Sequence, residues 1–227
     1  MSKFSKILSM SFLTAVCVFA VYSITTAQNN VLIVALFSSL KEKTLPSEWE
    51  LKEWKGRADI EIVADDSGQD VLHLKSKETS TALYKKIDVD IKETPYINWK
   101  WKVTNIPTGA DVRKKGFDDQ AAQIYVIFPK FPSQINSRLV GYIWDTSAPV
   151  GSEVTNSKLS NIKYVVIRSG TNGLGKWFVE KQNVYEDYKR LFGEEPPMVG
   201  SVALMIDSDN TKSGAESFFG DIYLSRE

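Results

Sequence analysis

Histidine and cysteine are almost missing from this sequence: His73 and Cys17 are the single examples of each among 227 residues. One histidine cannot assemble the usual His-rich catalytic zinc site, and any Ser-His-Asp arrangement would depend wholly on His73. One cysteine leaves no disulfide framework. Because Cys17 lies inside an apolar N-terminal run, a chain cut after Ala27 would carry no thiol nucleophile either. Charge of one sign is lacking as well. Lys and Arg number 28 and Asp and Glu 28, so nothing electrostatic points to nucleic acid. Phosphate loops of the GxxxxGK[ST] or GxGxxG type are absent, which disfavours nucleotide enzymes. No Pro/Ser/Gly-rich linker and no repeat of fixed period divides the chain, and one domain over residues 28–227 is expected.

What is present begins with Lys3 and Lys6 ahead of an apolar run from Ile7 to Ile24 and the small residues Thr25, Thr26 and Ala27. This is the pattern of a secretory signal over residues 1–27, and it predicts export to the periplasm or beyond. An uncleaved anchor is the alternative, and the only membrane contact expected. Val16 stands before Cys17 where a lipobox needs a small residue, so no lipid anchor is expected.

From Val31 onward, apolar residues recur at strand-like spacing in short runs bounded by Gly, Asp, Asn, Ser and Pro. The segment Tyr96 to Val103 is the clearest, with Ile97, Trp99, Trp101 and Val103 on one face and Asn98, Lys100 and Lys102 on the other. One dry and one wet face favour antiparallel pairing. Ala58 to Ala64 and Val71 to Ser76 flank the turn residues Asp65-Asp66-Ser67-Gly68 and read as a hairpin. The expected fold is all-β: an antiparallel two-sheet β-sandwich, jelly-roll-like, with one short helix near 184–192. That helix has Asn183 as N-cap, Glu186 at the third helical position, Gly193 as its left-handed terminator and Pro196-Pro197 to block resumption.

Four ordered segments together resemble one family: Trp99 to Val103, Gly109 to Phe128, Asn183 to Pro197, and Ile206 to Thr211 with Phe219 to Ile222. They are similar to the domain of unknown function 3047 family, exported bacterial proteins with no settled activity. The resemblance covers about Leu45 to Leu224. It implies export and a single domain, and it supplies no substrate and no catalytic residue.

Candidate site residues therefore come from the sequence itself. Asp118 and Asp119 follow a Gly-rich basic loop and either share a ligand or act as turn acids paired to Arg113, Lys114 and Lys115. Asp207, Asp209 and Asn210 form an oxygen-rich turn that either ligates a structural calcium ion or bonds its own backbone. Arg168 and Glu180 sit on separate strands and either face a ligand with Asn183 or form an ion pair. Trp144, at a strand end, and Trp177, after a glycine turn, are the candidate stacking platforms, whereas Trp99 and Trp101 belong to the core. His73 alternates with Leu72 and Leu74 and is expected in solvent.

Three functions fit these residues. The first is a binding module of the cell envelope for a glycan or other small polar ligand. The second is a polysaccharide-active enzyme working through two carboxylates. The third is a structural or protein-interaction component with no small ligand.

Overall fold

The computed structural model describes residues 31–227; the secretory signal expected over residues 1–27 lies outside them. Thirteen strands follow in chain order: β1 (Val31–Ala35), β2 (Trp49–Lys55), β3 (Asp59–Ala64), β4 (Asp70–Lys77), β5 (Ser80–Val89), β6 (Tyr96–Asn105), β7 (Ala122–Phe128), β8 (Arg138–Asp145), β9 (Glu153–Thr155), β10 (Ile162–Ser169), β11 (Phe178–Asn183), β12 (Val199–Asp207) and β13 (Gly214–Ser225). A short helix α1 (Ser133–Asn136) precedes β8, and α2 (Val184–Phe192) follows β11. Among the described residues, no helix is long and apolar enough to cross a membrane.

The strands form the expected two sheets. One is ordered β11-β6-β13-β4-β3, with β1 also paired to β13; the other is ordered β2-β5-β12-β7-β8-β10-β9. The expected hairpin is β3–β4, where Ile62 faces Leu72 and Asp65 Oδ1 accepts the turn N–H groups of Ser67 and Gln69. Pairing is antiparallel with one correction: β8 and β10 run parallel. Their connection carries β9, which pairs antiparallel with the outer edge of β10. Two strands escape the sequence reading. In β2 the charged residues of Trp-Glu-Leu-Lys-Glu-Trp-Lys mask an alternation of Trp49 and Leu51 against Glu50 and Lys52, and β9 is only three residues long.

The main core lies between the sheets, and aromatic rings cross it. Trp99 and Trp101 of β6 are fully enclosed, as their alternation predicts. Trp99 stacks on Tyr142 of β8 at 5.6 Å between centroids, and Trp101 meets the edge of Trp144 at 6.1 Å. Three of these four rings find partners for their polar edges at the rim of the core, while the Trp99 indole nitrogen is buried without one. The Trp101 indole donates to Glu180 at 3.1 Å, Trp144 to the Gly170 carbonyl at 3.1 Å, and the Tyr142 phenol to Asp187 at 2.7 Å.

That last bond pins α2 to the end of the sandwich, where Val184 and Tyr188 are buried. The helix caps follow the sequence: Asn183 Oδ1 accepts the Glu186 N–H at 3.0 Å, and Gly193, at φ +70°, donates its N–H to the Lys189 carbonyl. Removing one of the crossing rings leaves a cavity that rigid sheets cannot close. Trp101→Ala should lower unfolding free energy by about 3–5 kcal/mol in urea titration, with little change in the denaturant slope.

Candidate functional site

The sequence-derived candidates do not converge on one pocket. Arg168 of β10 and Glu180 of β11 meet at 2.6 Å and tie the edges of the two sheets together. The guanidinium also lies 3.4 Å over the Phe178 ring, which makes the pair a packing element. Asn183 spends its side chain capping α2. Trp144, expected at a rim, has no exposed surface, because β8 runs through the middle of its sheet and this residue points inward. Trp177 does lie on an outer face, yet its ring is occupied by the ammonium groups of Lys100 at 4.9 Å and Lys102 at 5.2 Å. His73 also departs from expectation: it points outward but stacks on Phe218 at 4.4 Å and bonds Glu216 at 3.0 Å, leaving little of it in water.

Asp118 and Asp119 have different partners. Asp119 is fully buried and accepts four hydrogen bonds, from the backbone and side chains of Asn210 and Thr211 at 2.6–3.2 Å. Asp118 instead lines a cleft of about 260 Å³ on the outer face of the seven-stranded sheet, together with Asp207. This volume is just under the range of small-ligand sites, which begins at about 300 Å³.

The floor of that cleft is built by register. Ala203 of β12 pairs with Tyr84 of β5 on one side and Tyr125 of β7 on the other. Tyr125 then pairs with Gly141 of β8, and Gly141 with Tyr164 of β10. One row across five strands thus reads Tyr84, Ala203, Tyr125, Gly141, Tyr164, with rings on alternate strands and small residues between them. Gly141 is required there. A Cβ would stand 2.8 Å from Tyr125 Cε1 and 3.0 Å from Tyr164 Cδ1, whose rings meet edge to face with centroids 6.2 Å apart. Trp54 of β2, 49% exposed and 6.4 Å from Tyr84, extends the aromatic surface outward; the Lys52 ammonium lies over it at 4.9 Å, so a ligand stacking there displaces one exposed lysine, where Trp177 is covered by two.

Polar groups sit among these rings. Gln123 accepts from the Tyr125 hydroxyl at 2.5 Å through Oε1, which leaves its buried Nε2 with no partner. A buried amide donor without an acceptor is uncommon and costly, of order 1–3 kcal/mol. Asn156 closes the other side, donating to the Tyr164 hydroxyl at 2.9 Å and to Asp118 at 3.3 Å, while its Oδ1 holds the turn N–H groups of Lys158 and Leu159. Lys158 lies 3.7 Å from Asp118 Oδ1. Sequence reasoning missed Trp54, Tyr84, Gln123, Tyr125 and Tyr164. Each looks ordinary in its own segment, and only strand order assembles them.

Beside the cleft, carboxylate oxygens of Asp119, Asp207 and Asp209 lie within 4.8 Å of one another. These are the residues with the oxygen donors for a hard cation. Asn210 joins differently from expectation, because its amide nitrogen donates to Asp119 and Asp209. Burial first, and then the neighbouring carboxylates of Asp119 and Asp209, push the Asp207 carboxyl up to about 9. Asp207 therefore holds a proton at neutral pH, and Lys55 approaches Asp209 at 3.5 Å.

A family model described as a protein of unknown function, DUF3047, matches residues 46–223. No curated protein matches the chain. Among solved structures, the family 11 carbohydrate-binding module of the cellulosomal cellulase Lic26A-Cel5E of Clostridium thermocellum is 8% identical, covering 86% of this chain and 94% of that one with a TM-score of 0.47. The family 30 carbohydrate-binding module of the cellulase Cel9D-Cel44B of the same organism is 12% identical over 82% of this chain and 95% of that one, also at 0.47. Likeness at this level says nothing about a ligand.

Asp207 gives the site a pH signature. Its ordinary value is 3.8 and its folded value about 9, so between these limits the folded chain keeps a proton that the unfolded chain has released. Its contribution to stability is whole below about pH 4 and declines as pH rises toward 9. Asp207→Asn does not titrate. Urea unfolding in the presence of chelator should therefore show the variant gaining on the parent from about pH 5 to about pH 8.5, by up to about 1 kcal/mol per pH unit. A gap independent of pH would place the proton elsewhere.

Proposed function

The chain belongs to the DUF3047 family of proteins of unknown function, and with no activity to inherit we propose from its cleft that it is an exported binding module of the cell envelope that takes an uncharged carbohydrate. The observation that carries this reading is the tyrosine row with the unpaired Gln123 amide beside it. Pyranose rings present apolar C–H faces and a rim of hydroxyls. The first suits the Tyr84 and Trp54 surface, and the second suits Gln123 Nε2 and the free lone pairs of Asp118. Charge selects within this class. Lys158 offsets Asp118, and burial favours the protonated form of Asp207, so neither lining carboxyl stands as an unscreened negative charge against a neutral ligand.

One observation favours a second reading. Asp207 keeps the proton a general acid needs, and Asp118 supplies a second carboxylate in the same cleft, the minimum for glycoside hydrolysis. Release of reducing ends from a polysaccharide panel, abolished in Asp207→Asn, would establish it.

For the binding reading, isothermal titration against neutral oligosaccharides should give a measurable affinity that falls roughly tenfold in Trp54→Ala and in Tyr84→Ala. Gln123→Ala should weaken it by a similar factor, with melting temperatures showing that each variant is folded. Absence of heat with every neutral sugar at millimolar concentration would end the proposal.

A further inference from the structure

A second concavity, independent of the carbohydrate reading, opens at the end of the sandwich beside α2. It is a hollow of about 680 Å³ lined by Lys130, Arg138, Lys163, Phe192, Ile135 and Asn161, among others. The Phe192 ring lies under two cations at once, the Arg138 guanidinium at 4.9 Å and the Lys163 ammonium at 5.1 Å. Glu194 is shared between Arg138 and Lys130. Lys163 has no carboxylate within 4 Å among the described residues and donates to the Leu191 carbonyl at 2.5 Å. Three cations thus face one carboxylate.

Two exposed apolar side chains border this hollow, Ile135 in its lining and Phe131 next to the lining residue Lys130. The loop between β7 and β8 holds Phe131 at 94% exposure and Ile135 at 72%. A phenyl and a branched alkyl group standing in water are unfavourable unless something covers them. A soluble oxyanion would answer the cations and leave both side chains wet, and an apolar partner would cover the side chains and strand the cations. A bilayer with anionic headgroups meets both demands, since its phosphates lie just outside the region that accepts apolar side chains.

We propose that this end of the sandwich docks on an anionic lipid surface, with Phe131 and Ile135 entering the headgroup boundary and Lys130, Arg138 and Lys163 facing the phosphates. The turn at residues 156–161 separates this surface from the cleft. Lys158 and Leu159 line the cleft, whereas Ser160 and Asn161 line the hollow.

The full chain carries the apolar run from Ile7 to Ile24, so the test must read the loop itself. A solvatochromic dye on Ser133→Cys, in a Cys17→Ser background, sits between the two apolar tips. With phosphatidylglycerol/phosphatidylcholine vesicles its emission should shift to the blue, and with phosphatidylcholine alone it should not. Phe131→Ser should weaken the response roughly tenfold, and Lys130→Ala and Lys163→Ala should each weaken it about fivefold. No shift with either vesicle would overturn the proposal, as would an equal shift with both or a shift that survives reversal of both lysines to glutamate. Full displacement by millimolar inorganic phosphate would overturn it too, because it would mark a site for a free oxyanion.

Discussion

The contact on which the remaining architecture depends is the crossing of aromatic rings between the sheets, Trp99 and Trp101 against Tyr142 and Trp144. Side chains in a strand alternate strictly, so committing Tyr142 and Trp144 to the interior commits Gly141 and Ile143 to the outer face. A slip of one residue in β8 would turn Gly141 into the interior and two large rings out of it. The core therefore holds the cleft floor in place: the same strand that packs the interior supplies the one position where two tyrosines need a neighbour without a Cβ. Stability and site geometry are set by a single register.

The outer face of that sheet shows how a second cluster can be built on a first. Tyr125, Ile143, Tyr164, Val166 and Ala203 are buried although they point away from the main core. Cover comes from the turn that Asn156 organises and from the loop carrying Val112, whose N–H bonds Asp145 at 2.9 Å. The Tyr125 and Tyr164 rings are consequently fixed, while Tyr84 at the other end is half-buried and Trp54 beside it exposed. A rigid floor beside an exposed aromatic edge loses little conformational freedom when a ligand arrives, which favours affinity.

Legibility in the sequence divides along the same line. Features that depend on a few adjacent residues were readable: the burial of Trp99 and Trp101, the β3–β4 hairpin, and both ends of α2. Each is decided by alternation, by a turn or by a cap within one segment. The tyrosine row was not readable, because Tyr84, Tyr125 and Tyr164 come from three segments whose adjacency is fixed only by strand order. In β7 the difficulty is sharper. Ala-Gln-Ile-Tyr-Val-Ile-Phe is nearly continuous in apolar residues, since both faces of that central strand are covered, and a continuous run conceals which side faces a cleft. Trp144 misleads for a related reason: proximity to a strand end implies a rim only when the strand is not enclosed. Asp118 lines the cleft and Asp119 does not, because the backbone and side chains of Asn210 and Thr211, 91 and 92 residues further along the chain, take up the Asp119 carboxylate.

Electrostatics adds a division of labour within a chain whose formal charges cancel. Near the cleft, charge is suppressed: Asp118 has Lys158, Asp209 has Lys55, and Asp207 keeps a proton because burial and two neighbouring carboxylates make its ionisation costly. At the α2 end, charge is left in excess, with Lys163 unmatched among the described residues beside a partly matched Arg138 and Lys130. Zero net charge over the whole chain therefore conceals a local excess of basic groups, which a turn of six residues anchored on Asn156 holds apart from the cleft. That turn serves both surfaces, since the side chain that ties it to the tyrosine floor also fixes where Ser160 and Asn161 stand in the basic hollow. A change at Asn156 would loosen the cleft wall and the hollow together, so the two surfaces, distinct in chemistry, are mechanically one.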